Sequence, residues 1–440
     1  MDSIFKDMLS VMETHIDFER LLEELGSEAT NLPDISQGWS DGLRQAIDHQ
    51  AMSLSQSPET FGTWLLINKL KETNDDKVID GVISVGVILR DLMYINHQNL
   101  IELLIKHISF ISLYSIFKLH TAGLVLIHEI LSNSSNMKET VCEYFITSLV
   151  SSSSHELPAG IIRVLLSLSF SQYNEYNNDN GLNSTAQCSN NILMEAVQRD
   201  VHCSSDPVII NIIVSVCNEL GLSLQLFLDH LLSSIISRPP FCNAREMLTR
   251  QNEVTLSCIE EGKSKLLSKV AMLMGHSLCW KNIIKISQSS NVNWFGLLQF
   301  VSCCVHTHID HVTGFKKCIT DLLLISLSQE NEEYLIISLL LSRQGGMEGG
   351  HVFPSYGNWF KSVFGSSQHS LMDSKRTLTF LIKCLTNLIN EDPPYCLQAH
   401  ITFPPRKLAK CSQLVTGYIV KAKSRLDYLQ VLTLLSCSKE

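Results

Sequence analysis

The residues best suited to chemistry in this 440-residue chain are the cysteines and histidines between Cys303 and His311. If this segment is helical, Cys304, His308 and His311 lie on one face, because the second and third are four and seven residues after the first. A thiolate and two imidazoles are ligands that zinc accepts, so this spacing makes the three residues a candidate metal site.

The sequence also offers a simpler interpretation of this segment. Structural zinc sites usually take their ligands from two short-spaced pairs, and neither CxxC nor HExxH occurs in the chain. With 14 cysteines and 16 histidines, such residues also cluster by chance. Buried cysteines with capping or surface histidines are therefore favoured, and we expect no cofactor.

A group of basic residues near the C-terminus is the second candidate site. After Pro404-Pro405, residues 406–435 have the apolar spacing of a final helix, and five cations fall within about a third of its circumference. These cations are Arg406, Lys407, Lys410, Lys421 and Arg425. Such a basic stripe can bind nucleic-acid phosphates or an acidic partner protein. The favoured alternative is a solvated face on a helix that caps the fold.

An aromatic cluster follows the glycine-rich residues 345–350 and forms the third candidate. Its members are Phe353, Tyr356, Trp359 and Phe360. Tyrosine and tryptophan are enriched where proteins bind one another, so these rings could form a docking surface. The favoured alternative is that they pack the next helix onto the core.

No local pattern for catalysis is present in the sequence. The GxSxG elbow of serine hydrolases is absent, and the glycines of residues 345–350 do not lead into the Lys-Ser/Thr of a phosphate loop. Paired acids such as Asp75-Asp76 point to different parts of a helix surface. The sequence therefore predicts a protein that is not an enzyme and that takes no small-molecule substrate.

The elements that position these residues are predicted to be helices, because leucine- and isoleucine-rich blocks of helix length recur along the chain. In residues 157–170, Ile161, Val164, Leu165 and Leu168 have the spacing of one helix face, and Pro158 fits the first turn. The same pattern predicts helices over residues 62–71, 99–117, 121–131, 207–220, 222–237, 263–274, 294–305, 315–327, 333–342 and 374–389. Almost nothing resembles a strand, so we expect an all-α fold.

The composition indicates how these helices pack. The chain is 45% hydrophobic and only 18% charged, whereas an ordinary soluble domain is about a quarter charged. Each helix therefore needs neighbours on several sides, which a long chain achieves by stacking helices as a solenoid. No fixed repeat occurs. In this architecture the chain resembles the armadillo and HEAT superfamily over most of its length, which implies an irregular helical repeat solenoid. A closed, irregular all-helical domain is the alternative.

The sequence favours an intracellular protein without a membrane span. The most apolar stretch, residues 100–131, is interrupted by Glu102, Lys106, Lys118 and Glu129. The first residues form an acidic amphipathic pattern that lacks the features of a secretory signal. The cysteines are scattered without paired spacing, as in proteins with reduced thiols. We therefore expect a nuclear or cytoplasmic location.

Charge and low-complexity segments divide the chain. Residues 1–100 contain 7 Lys/Arg and 17 Asp/Glu, so this end is acidic, whereas residues 401–440 contain 7 Lys/Arg and 2 Asp/Glu. The Asn-rich residues 172–191 lack apolar periodicity and are predicted to form a flexible loop. We therefore predict an acidic helical region over residues 1–171, this loop, and a second helical region over residues 192–440.

Three functions remain compatible with these patterns. The favoured one is a scaffold or adaptor subunit of an intracellular multiprotein complex, with nuclear genome maintenance as the setting and trafficking or transport as an alternative. The second is a helical solenoid that binds nucleic acid through the basic C-terminal helix. The third is an enzyme or metalloprotein built around Cys304, His308 and His311.

Overall fold

A computed structural model of the chain describes residues 37–134, 136–152, 156–174, 180–203, 208–236, 241–251, 254–288, 292–365, 374–406 and 411–437. Over these residues, twenty-one α-helices form and no strand does; an isolated bridge joins Cys242 and Asn293. The predicted all-α class is confirmed. The helices group into two compact units, of which the first includes residues up to 203 together with residues 208–222.

The first unit contains ten described helices. These are α1 (Gln37–Ser53), α2 (Pro58–Glu72), α3 (Asp76–Asp91), α4 (His97–His107), α5 (Leu113–Thr121), α6 (Ile127–Asn133), α7 (Lys138–Ser151), α8 (Glu156–Asn174), α9 (Asn180–Cys203) and α10 (Val208–Leu220). Helices that are two apart in chain order pack on each other: α2 packs on α4, α3 on α5, and α4 on α6. Alternate helices therefore share a buried face.

Local capping explains several of the boundaries in this unit. The Ser57 side chain accepts a hydrogen bond from the Thr60 N–H, and Pro58 occupies the first helical position of α2. The apolar block over residues 99–117 is two helices rather than one. The break arises because Ser112 accepts a hydrogen bond from the Ser115 N–H and so begins α5.

The second unit contains eleven described helices. These are α11 (Leu224–Ile236), α12 (Ala244–Arg250), α13 (Glu261–Met274), α14 (His276–Ser287), α15 (Trp294–Thr307), α16 (Ile309–Gln329), α17 (Glu332–Met347), α18 (Tyr356–Phe364), α19 (Lys375–Asn387), α20 (Pro394–Thr402) and α21 (Ser412–Cys437). Two of them are buried on every side. All residues from 296 to 305 in α15 and from 335 to 345 in α17 are buried, as expected of helices that are apolar all round.

The structure differs from the sequence prediction in the Asn-rich segment 172–191. Helix α8 continues through Asn174 and α9 begins at Asn180, so the described parts of this segment are helical, and residues 175–179 lie outside the described residues. Packing explains the difference, because Ala186, Cys188 and Ile192 of α9 are buried and α9 packs along α8. The boundary between the two compact units also lies later in the chain, between residues 203 and 223.

The helix predicted over residues 333–342 extends into the glycine-rich residues 345–350, since α17 continues through Met347. A Cβ atom at Gly345 would lie 2.5 Å from Cε1 of Phe315 and 2.9 Å from Cβ of Phe353. Glycine is therefore needed at this position for close packing within the helix, and it does not break the helix here.

None of the described helices combines the length and the apolar character that crossing a membrane would require.

The close approach of α16 to α14 gives a test of the packing in the second unit. A Cβ atom at Gly314 would lie 2.4 Å from Cδ1 of Trp280, a buried ring that also packs against Phe315 at a centroid distance of 5.2 Å. Gly314→Ala should therefore lower the unfolding free energy by about 1–3 kcal/mol through overpacking. Urea unfolding of the full chain measures this change.

The matched control is Gly417→Ala in α21, where an added Cβ meets nothing within 4 Å. This substitution should raise the unfolding free energy by about 0.5–1 kcal/mol, because alanine is the better helix former. Equal effects of the two alanines would contradict the close packing of α14 and α16.

Candidate functional site

The structure separates the members of the predicted basic stripe. The final helix α21 begins at Ser412, not at Arg406. Arg406 precedes it in the extended segment after Pro405, and the Arg406 N–H donates to the Phe364 carbonyl at 2.8 Å. Lys407 and Lys410 lie outside the described residues. The predicted start of this helix at Arg406 was wrong, because the Arg406 backbone N–H bonds to the last residue of α18.

Within α21, the two remaining basic residues have different environments. Lys421 is exposed, whereas Arg425 is half-buried. The Arg425 guanidinium donates to the Asn390 carbonyl at 3.2 Å and lies 5.3 Å from the centroid of the Tyr428 ring. Arg425 therefore anchors α21 to the residues after α19. Among the predicted cations that the structure describes, Lys421 is the one exposed to solvent.

The four predicted docking rings lie in the core of the second unit. Phe353, Tyr356, Trp359 and Phe360 are at most 6% exposed. Their neighbours are other rings: Phe353 packs on Phe315 at a centroid distance of 5.6 Å. These side chains therefore pack α18 onto the core and do not form a surface, as the favoured alternative expected.

A buried ion pair lies beside Tyr356 of the aromatic cluster. Arg343 of α17 donates a hydrogen bond to Asp392, and both side chains are fully buried. The Arg343 guanidinium also lies 5.3 Å from the centroid of the Tyr356 ring. Removing two charges from water costs several kcal/mol for each ion, so each of them depends on the other remaining in place.

A buried histidine joins the same cluster. The Tyr356 hydroxyl lies 2.8 Å from Nε2 of His400, and the Tyr418 hydroxyl lies 2.6 Å from Nδ1. Burial and the nearby Arg343 lower the pKa of His400 well below its usual value. His400 is therefore neutral at physiological pH, and it links α18 and α20 to α21.

A second polar network lies between α15 and α17. Gln344 donates to the Ser302 hydroxyl at 2.8 Å and to the Val254 carbonyl at 2.7 Å. Glu348 accepts from Ser302 at 2.7 Å and lies 2.9 Å from Nε2 of His306. Glu348 belongs to the glycine-rich segment, where its carboxylate satisfies buried polar groups.

The candidate metal ligands are brought together only in part. Cys304 and His311 meet, but His308 does not join them: its ring is exposed and accepts a hydrogen bond from the Asp310 N–H at 3.2 Å, which caps α16. The third member of the cluster is Cys279 of α14. Ligand atoms of Cys279, Cys304 and His311 all lie within 4.8 Å of one another, and the three residues are buried.

His308 caps α16, which agrees with the favoured interpretation of capping or surface histidines, whereas the metal hypothesis assumed one continuous helix. The chain instead breaks at residue 308, between α15 and α16, so the one-face spacing does not apply. Cys279 and Asp392 are distant in sequence from their partners and left no local pattern. A signal for Arg343 was present, since this arginine follows the apolar stretch over residues 335–341, and a buried arginine requires a partner.

The buried ion pair gives a sharp stability test. Asp392→Asn would leave the buried Arg343 guanidinium without its counter-charge, and we expect a loss of about 3–5 kcal/mol in unfolding free energy. Chemical denaturation of the full chain measures this loss. The matched control is Glu330→Gln, which breaks the exposed ion pair with Arg376 and should leave stability unchanged. Similar results for the two amides would show that the Arg343 pair is not buried.

The low pKa of His400 predicts a pH dependence of stability. Below about pH 6.5 the unfolded chain protonates this histidine and the folded chain does not, so stability falls as pH falls. The slope contributed by His400 is about 1.4 kcal/mol for each pH unit below that value. Unfolding measured from pH 7.5 to pH 5 should show a shallower slope in His400→Gln than in the unchanged chain. Parallel slopes would contradict the neutral histidine.

The sequence of this chain matches proteins of one known family. A family model described as the Fanconi anaemia group A protein N terminus matches residues 97–432. The Fanconi anemia group A protein homolog of Mus musculus is 31% identical over 209 residues, which are 48% of this chain and 14% of that protein. The Fanconi anemia group A protein of Homo sapiens is 27% identical over 208 residues, which are 47% and 14%. The match thus spans about a seventh of each relative, and the chain belongs to the family of Fanconi anaemia group A protein N-terminal regions.

Proposed function

We propose that this chain is a non-enzymatic scaffold subunit of a multiprotein complex for genome maintenance in the nucleus, where it binds partner proteins. The family match over residues 97–432 carries the proposal. The relatives named for Fanconi anaemia group A agree with it, and DNA repair is the process we infer for the complex.

The packing within each unit supports a scaffold role. In the first unit, alternate helices share faces, as in irregular HEAT- and armadillo-like solenoids, and we propose that arrangement for each unit. The second unit adds α13 on α15, α14 on α16 and α15 on α17. Helices stacked in this way present a long surface relative to their core, which suits binding to several partners.

Exposed apolar side chains also support binding to proteins. The described surface carries Met93 at 79% exposure, Phe110 at 67% and Ile309 at 65%. Single exposed apolar residues are normal on any protein, but aromatic and methionine side chains are the types enriched at protein interfaces. By contrast, the support for binding nucleic acid is reduced, because Arg425 is engaged with Asn390.

The decisive experiment is purification of the tagged full chain from nuclear and cytoplasmic extracts, with and without nuclease, followed by mass spectrometry. We expect stoichiometric partner proteins in the nuclear fraction that are retained after nuclease treatment. A monomer without partners in both extracts would contradict the scaffold proposal. Partners found in the cytoplasmic fraction alone would favour a trafficking or transport adaptor.

Loss of all partners after nuclease treatment would favour the nucleic-acid-binding alternative. That alternative predicts that Lys421→Glu weakens salt-dependent DNA or RNA binding by the purified chain. Lys423→Glu is the matched control, since this exposed lysine of the same helix is about 200° away around its axis. We expect neither substitution to change partner recovery or nucleic-acid binding.

A further inference from the structure

Three metal-binding side chains from three successive helices meet in the core of the second unit. Cys279 lies in α14, Cys304 in α15 and His311 near the start of α16. The two sulfur atoms and an imidazole nitrogen all lie within 4.8 Å of one another. Both cysteines are fully buried and His311 is 3% exposed. The helices thus place soft ligands together where water has little access.

The histidine in this cluster has an unsatisfied nitrogen. Nδ1 of His311 is buried without a hydrogen-bond partner, and leaving such an atom unpaired costs about 1–3 kcal/mol. The backbone of this residue is held in place, because the Trp280 indole donates to the His311 carbonyl at 3.0 Å. A fixed imidazole beside two thiols, with a nitrogen lacking a partner, is the arrangement expected of a metal ligand.

A fourth ligand is available at the edge of the cluster. His276 is exposed and is the first residue of α14, three positions before Cys279. Its ring centroid lies 6.3 Å from that of His311, with the rings nearly perpendicular. The four residues therefore form two sequence pairs: His276 and Cys279 are three positions apart, a spacing common in structural zinc sites, and Cys304 and His311 are seven apart. This pairing was hidden in the sequence because the pairs are 25 residues apart.

We propose that Cys279, Cys304, His311 and His276 bind one zinc ion that ties α14, α15 and α16 together. Binding deprotonates both thiols and releases two protons, while the histidines bind as neutral imidazoles. The two thiolates balance the Zn²⁺ charge, so the buried site is neutral overall. With Zn–S bonds of about 2.3 Å, tetrahedral geometry places the sulfurs about 3.8 Å apart. The three buried ligand atoms already lie within 4.8 Å of one another, so small shifts of these side chains, together with rotation of the His276 side chain, bring the four ligands to one ion.

Metal content of the full chain tests this site. The protein is produced in zinc-supplemented medium, dialysed without chelator and analysed by elemental mass spectrometry. We expect about one zinc per chain and loss of that zinc in Cys304→Ser. The matched control is Cys303→Ser, because Cys303 is the adjacent cysteine, is equally buried, and lies outside the cluster. It should keep its zinc. A zinc-free unchanged chain, or a Cys304→Ser chain with full zinc, would overturn the proposal.

A second measurement decides the matter if Cys304→Ser fails to fold. Cobalt replaces zinc in such sites and absorbs visible light according to its ligands, so the cobalt-loaded full chain should show the intense bands of a tetrahedral thiolate site. His276→Ala changes an exposed residue and should leave the fold intact while shifting these bands. No tetrahedral thiolate spectrum in the unchanged chain would reject the site. An identical spectrum in His276→Ala would reject the four-ligand arrangement proposed here.

Discussion

The second unit depends on one constraint: two of its helices, α15 and α17, are enclosed on all sides. Polar side chains on a helix segment that is buried on every side lose their hydrogen bonds to water, so each buried polar atom without a replacement partner costs stability. Ser302, Arg343 and Gln344 lie on these two helices, and each has a partner on another segment. Those partners, in turn, fix where the surrounding helices can lie.

The same constraint explains why the candidate sites are arranged as they are. The Tyr356 ring lies over Arg343, where a buried guanidinium is stabilised by an acid and by a ring face together. His400 is neutral because the core admits no further charge beside Arg343. The glycines at 345 and 346 permit α17 to approach these rings. The aromatic residues considered as a docking surface therefore belong to the interior, as the favoured alternative expected.

Much of the fold could be predicted from apolar periodicity, and little of the sites could. Blocks at residues 207–220, 263–274 and 294–305 match α10, α13 and α15 closely, because helix faces are local patterns. Boundaries failed where a cap or a close contact decides them, as at Ser112 and Gly345. The site residues failed for a different reason: Asp392 is 49 residues from Arg343, and Cys279 is 25 from Cys304. Pairing across such separations is a property of the packed helices.

Buried polar contacts of this kind fix the register of packed helices, which an apolar core alone does poorly. Leucine and isoleucine side chains of similar volume replace one another at small cost, so helices rich in them can slide between packings of nearly equal energy. An ion pair such as Arg343 with Asp392 admits one register, since any shift leaves a charge unpaired in the core. A zinc ion held, as we propose, by His276, Cys279, Cys304 and His311 would impose the same restriction on α14, α15 and α16, because metal ligands tolerate little displacement. The scaffold role that we propose would depend on this uniqueness more than on added stability, since partners recognise a surface whose shape is set by the register of the helices beneath it.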